Sequence, residues 1–176
     1  GIGWYRKNIF VPSSQKDKNF ELYFEGAYMN TDVWINGRHL GNHPYGYTPF
    51  VYDITDYLAY DQDNVIAVQV KNEGNNSRWY AGSGLYRHVW LTVTNPLHII
   101  THGTYITTPT VTREMAEVVV ETSIVNNYPS GNDVVIETVI TDDAGNRVAS
   151  IKADKKINAG NTDVFTQKTE IESPQL

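Results

Sequence analysis

Asp32-Val33-Trp34-Ile35-Asn36-Gly37-Arg38-His39-Leu40 is the stretch that decides the fold of this chain. Asn-Gly supplies the two positive φ angles of a type I′ turn, and it stands between short runs whose Val, Trp and Ile favour extended backbone. The stretch predicts a β-hairpin. Outward from it the same alternation recurs. Phe20, Leu22 and Phe24 share one face of a strand, as do Ile66, Val68 and Val70. Further along, Val118, Val120, Thr122 and Ile124 form a third such set, and Val134, Ile136, Thr138 and Ile140 a fourth. A second hairpin is expected at Asp142-Asp143-Ala144-Gly145-Asn146, with its glycine in the left-handed region. No stretch of ten residues sustains a 3.6-residue apolar period. The best helical candidate is a single turn over residues 53–58, capped by Asp53.

Composition agrees with an ordered β-rich protein. Hydrophobic residues make up 40% of the 176 and charged ones 19%. The formal net charge is −6 and no Lys/Arg block occurs, which argues against a nucleic-acid partner. No apolar run approaches the roughly 20 residues that span a bilayer, so no membrane partner is expected. The absence of Cys excludes disulfides, thiolate metal sites and cysteine nucleophiles. All four Trp (Trp4, Trp34, Trp79, Trp90) and most Tyr precede Asn95-Pro96, and the strands after it are rich in Val, Ile and Thr. That shift places a domain boundary there, with one domain over 1–95 and another over 96–176.

Most candidate chemical sites fail on geometry. His98 and His102 lie four apart in a segment read as extended, roughly 13 Å from each other, too far to share a zinc ion. His39 and His43 flank Gly41-Asn42 after the hairpin and read as polar turn residues. Asp61, Asp63 and Asn64 offer oxygen ligands of the kind calcium takes, but an acidic loop between strands is more often simply solvated. Gly82-Ser83-Gly84 lacks the following helix that a phosphate loop needs. Glycoside cleavage needs two carboxyl groups at a defined separation, and no acidic pair here stands out for that role. The aromatic side chains are more informative. Tyr45, Tyr47, Trp79, Tyr80 and Tyr86 fall in or beside loops, where ring faces can stack on sugars; on composition alone the favoured reading is that such rings fill a sandwich core or an interdomain seam with their polar tips outward.

Beyond composition, five motifs occur in register. Asp32 to Gly37 is followed by Leu40-Gly41, then by Gly46-Tyr47-Thr48-Pro49-Phe50 with Asp53-Ile54-Thr55. Asn64 to Val70 comes next, and Arg78-Trp79-Tyr80 with Gly82 to Leu91 closes the series. Together they resemble the N-terminal sugar-binding domain of glycoside hydrolase family 2, the family of β-galactosidases. The segments 99–107, 116–126, 134–142 and 145–149 are similar to the immunoglobulin-like domain that follows it in that family.

The resemblance implies an all-β chain, a jelly-roll β-sandwich followed by an immunoglobulin-like β-sandwich. It implies that the first is N-terminally and the second C-terminally truncated, and that the catalytic (β/α)₈ barrel with both catalytic glutamates is missing. No catalytic residue, metal or cofactor is then expected in this chain. Its partners would be a carbohydrate ending in a terminal β-glycoside and the barrel of the same parent, with self-association through exposed edges. The implied parent is an exo-acting retaining hydrolase, β-galactosidase first, with β-glucuronidase and β-mannosidase behind it, exported to the periplasm or medium of a bacterium. A free-standing carbohydrate-binding module or lectin is the alternative. The implied substrate-binding residues lie on one loop, Asn76, Ser77, Arg78, Trp79 and Tyr80.

Overall fold

The computed structural model describes residues 1–74 and 82–175. The described residues are almost all strand and turn, so the all-β expectation holds. The chain divides into two compact units, Gly1–Asn95 and Pro96–Leu176.

The first unit is a sandwich. One sheet has the order β1-β7-β4-β5, from Ile2–Val11, Gln62–Lys71, Thr31–Ile35 and Arg38–His43. The facing sheet has the order β6-β2-β9, from Phe50–Asp53, Asn19–Phe24 and Val89–Thr94. The short β3 (Ala27–Tyr28) and β8 (Gly84–Leu85) pair separately. Phe20, Leu22 and Phe24 meet Val33, Ile35, Ile66, Val68 and Val70 in one buried cluster, as the alternation requires. Phe24 stacks on Phe50 with ring centroids 4.6 Å apart.

The hairpin forms as read, with φ of 50° at Asn36 and 82° at Gly37. Its register shifts between Val33 and Trp34, which a count of alternating residues does not reveal. Asn36 also ties the turn to β7: Val65 N–H donates to its Oδ1 (2.9 Å), and its Nδ2 donates to Tyr57 O (2.9 Å) and Asn64 Oδ1 (2.7 Å). The expected single helical turn is a 3₁₀ turn at Thr55–Tyr57. Asp53 Oδ1 accepts from Thr55 N–H (2.9 Å) and its hydroxyl (2.6 Å), so it fixes the entry to the turn although Ile54 holds the cap position.

One side of this sandwich is open. β1 and β9 are edge strands, and an apolar slot of about 440 Å³ lies between the sheets there, lined among others by Ile9, Leu22, Val68 and Leu91. The core-facing Val89, Leu91 and Val93 of β9 stay 38%, 40% and 39% exposed.

In the second unit, β10 (Leu97–Thr107), β11 (Met115–Asn126) and β14 (Thr162–Glu172) form one sheet in that order. β12 (Asn132–Thr141) pairs with β13 (Arg147–Ile157), joined by the predicted hairpin with Gly145 at φ 83°. Val118, Val120, Thr122 and Ile124 are buried as the pattern predicts. Of the fourth set only Val134 is; Ile136, Thr138 and Ile140 are half-buried, because the β12-β13 pair is a narrow cover. The segment holding His98 and His102 is not regularly extended: β10 is bulged between Ile99 and Thr104, with His102 at φ 59°.

A polar hub completes this unit. Asn126, fully buried, donates through Nδ2 to Ser130 O (2.9 Å) and Ile157 O (3.0 Å). Its Oδ1 accepts from Tyr128 N–H (3.1 Å) and Asn132 Nδ2 (3.1 Å). Gln167, 2% exposed, bridges the two sheets by accepting from Thr138 Oγ1 (2.6 Å) and donating to Ile151 O (3.0 Å).

Candidate functional site

The loop nominated from sequence leaves the end of β7 and returns at β8. Its called residues Asn76, Ser77, Arg78, Trp79 and Tyr80 lie outside the described residues, and what can be built is the frame around them. Asn72 Nδ2 donates to Ser83 Oγ (2.6 Å), closing the base of the loop. Asn72 N–H also donates to Gly1 O (2.9 Å), and the terminal amine of Gly1 donates back to Asn72 O. On the return side Gly84 has φ 103°, and a Cβ there would stand 2.2 Å from the Tyr5 hydroxyl. Leu85 N–H donates to that same hydroxyl (3.3 Å), so only glycine lets the chain pass this close.

Beside this frame stands a cluster of tyrosines. Tyr28 lies 5.2 Å from Tyr47 between ring centroids, and Tyr47 lies 5.7 Å from Tyr45, edge to face. Gly46 is the point on which they close: a Cβ there would come within 2.2 Å of the Tyr28 ring, and the Tyr86 hydroxyl donates to Gly46 O (2.7 Å). Tyr28 is buried, whereas Tyr45, Tyr47 and Tyr86 are 57%, 49% and 42% exposed. Burial first, and the neighbouring Tyr47 second, push the Tyr28 phenol above its usual value. His43 stacks on Phe50 at 4.3 Å and bonds Thr48 Oγ1 through Nε2 (3.1 Å). Burial holds its imidazole below the usual histidine value, hence neutral near pH 7. The rim thus collects aromatic faces and neutral hydroxyls, groups that bind rather than shuttle protons.

Tyr45, Tyr47 and Tyr86 were legible as loop aromatics. Tyr28 was not, because it lies on a two-residue strand with no pattern of its own. His39 and His43 do not face each other: His39 bonds Asp32 (2.8 Å) and packs on Trp34, whereas His43 lies on Phe50 of the opposite sheet. Asn64 is no cation ligand, since its Oδ1 is taken up by Ala59 N–H (2.7 Å) and Asn36. No group of three metal-binding side chains occurs among the described residues.

Two further polar clusters sit on the sheets. Asp32 bonds Lys71 Nζ (2.7 Å) as well as His39. Burial opposes its ionisation, but hydrogen bonds from Lys71, His39 and Asn42 hold its carboxyl below the usual range. Glu25 accepts from Trp90 Nε1 (2.8 Å) and meets His88 Nδ1 (3.2 Å); the Trp90 bond is the main reason its carboxyl is lowered.

Comparison with known proteins places this frame. Residues 1–96 match the sequence profile described as glycosyl hydrolases family 2, sugar binding domain. The β-galactosidase BoGH2A of Bacteroides ovatus is 44% identical over 177 residues, covering 100% of this chain and 21% of the relative. A β-glucuronidase of Formosa agariphila is 33% identical over 197 residues, covering 100% of this chain and 20% of its own length. Among solved structures, a family 2 glycosyl hydrolase from Bacteroides cellulosilyticus superposes with a TM-score of 0.94 at 44% identity, over 100% of this chain and 24% of the other. A family 2 β-glucuronidase superposes with 0.93 at 34% identity, over 100% and 21%. This chain therefore spans about a fifth of the length of the curated relatives it matches.

Proposed function

We propose, because this chain belongs to glycosyl hydrolase family 2, that it is the non-catalytic front part of an exo-acting retaining glycoside hydrolase. The parent would remove terminal β-linked sugars, with β-galactosides first and β-glucuronides or β-mannosides behind them. The observation that carries this reading is the similarity of the whole chain, from end to end, to about a fifth of a β-galactosidase and of a β-glucuronidase. The tyrosine rim supports a role in binding sugar, since ring faces and neutral hydroxyls suit the apolar and hydroxylated sides of a pyranose. In this reading Asn76, Ser77, Arg78, Trp79 and Tyr80 contact the terminal sugar, Arg78 giving a fork of donors and Trp79 or Tyr80 a ring face. The second unit is the immunoglobulin-like sandwich of the same parent. Export to the periplasm or medium of a bacterium belongs to the same proposal, as does self-association through exposed edges, which the half-exposed Val89, Leu91 and Val93 support.

The test is complementation. Alone, the chain should leave nitrophenyl β-galactoside, β-glucuronide and β-mannoside uncleaved. Mixed with a separately expressed downstream segment carrying the barrel, it should restore hydrolysis of one of them. A well-folded pair that stays silent, together with sugar affinity in this chain, would replace the proposal with a free-standing carbohydrate-binding module.

A further inference from the structure

The outer face of the β1-β7-β4-β5 sheet carries a groove of about 710 Å³, within the range of small-molecule sites. Its floor is Val65 and Ala67 of β7, small enough to leave a trough between β1 and β4. Cross-strand register sets the walls: Arg6 pairs with Ala67 on one side and Trp34 with Ala67 on the other. Trp4 lies next to Arg6 on the same face of β1, its ring 5.3 Å from that of Trp34 and tilted by 32°. Asn36 closes the end, as a wall only, because its side-chain amide is spent on Val65, Tyr57 and Asn64. The groove runs toward the hairpin, the opposite end of β4 from Thr31, which pairs with His43 beside the tyrosine rim.

Three features identify the occupant. Trp4 is 60% exposed and its ring lies against that of Trp34, so the two indoles together give the groove an aromatic wall. The Arg6 guanidinium makes no hydrogen bond or ion pair among the described residues, so its five donors are free. No carboxylate lines the groove, and the nearby Asp32 is already paired with Lys71 and bonded to His39. A tryptophan platform beside one uncompensated guanidinium complements a ring with an apolar face and one negative charge. We infer that this groove is a binding subsite for a uronic-acid residue of a glycan, an assignment that goes beyond the accessory role proposed above.

The test uses the 176-residue chain with methyl β-D-glucuronide and methyl β-D-glucoside, which differ only in carboxylate against hydroxymethyl at C6. The indole N–H resonances of the four Trp are followed by NMR, with those of the groove assigned from Trp4→Phe and Trp34→Phe. The uronide should shift Trp4 and Trp34 saturably, at least about tenfold more tightly than the glucoside, as a charge-assisted fork requires. Arg6→Met should erase that preference, Arg6→Lys should keep part of it, and added salt should weaken the uronide alone. Equal binding of both sugars, shifts confined to Trp79 or Trp90, no saturable shift, or an undiminished preference in Arg6→Met would each overturn the assignment. Should Arg6→Met fail to fold, Arg6→Lys and the salt dependence decide. Failure of barrel complementation would leave this result unaffected, since only this chain is present.

Discussion

The two units solve the same problem with different materials. The first gathers ten buried hydrophobic residues into its core cluster and stacks Phe24 on Phe50; the cluster of the second holds four, Ile124, Val134, Ile157 and Phe165, among the described residues. Burial of such side chains stabilises by about 1.5–3 kcal/mol each, so the first unit draws more on apolar burial, beside a single buried amide hub of its own at Asn64. The second adds fully bonded buried amides, Asn126 and Gln167, whose value lies in what their loss would strand. A small sandwich short of apolar volume can thus be fixed by satisfied polar hubs, provided every lone pair and proton finds its partner.

The largest effect that would break this comparison comes from the first core. Phe24→Ala should cost about 3–5 kcal/mol in that unit, read as an early first transition in urea with the second unit unmoved. An equal loss in both transitions would mean that the units do not unfold separately. Next in size, Asn126→Ala should cost the second unit about 2–3 kcal/mol, because five hydrogen bonds go and Ile157 O and Tyr128 N–H lose a partner. A loss below about 0.5 kcal/mol would remove the amide hub from the account.

Gln167→Leu sharpens the point at about 1 kcal/mol, since Thr138 Oγ1, only half-buried, can turn to water. Acid should then separate the units. The depressed Asp32 carboxyl contributes stability that is fully present above its unfolded value, about 4, and is lost as pH falls through its lower folded value. Asp32→Asn should flatten the acid limb of the first transition and leave that of the second unchanged. Smallest of all, Arg147→Ala removes an exposed pair with Glu137 and should change stability by under about 1 kcal/mol.

The strands and both hairpins were legible because period-two burial and Asn-Gly or Gly turn chemistry are local properties, carried by Phe20, Leu22 and Phe24 or by Asn36 and Gly37 themselves. The hubs were not. Asn64 read as a candidate calcium ligand, and Asn126 as an ordinary strand end, because their bonds reach residues such as Asn36 and Ile157 that only the tertiary fold brings near. The register shift after Val33 and the bulge at His102 escaped for the same reason. At the rim, Tyr45, Tyr47 and Tyr86 announced themselves beside Gly46, whereas Tyr28 becomes part of the cluster only once Gly46 is seen against its ring.

Asn36-Gly37 has a chemical consequence for the life of the molecule. In an unfolded chain, an asparagine followed by glycine is the pair most open to spontaneous deamidation, because the unhindered glycine nitrogen can attack the side-chain carbonyl carbon. In the folded hairpin that carbonyl is held by Val65 and the amide by Tyr57 and Asn64, so cyclisation has to wait for the turn to open. Isoaspartate at position 36 would therefore accumulate with time spent unfolded rather than with age, and a peptide map could read it as a record of each sample's folding history.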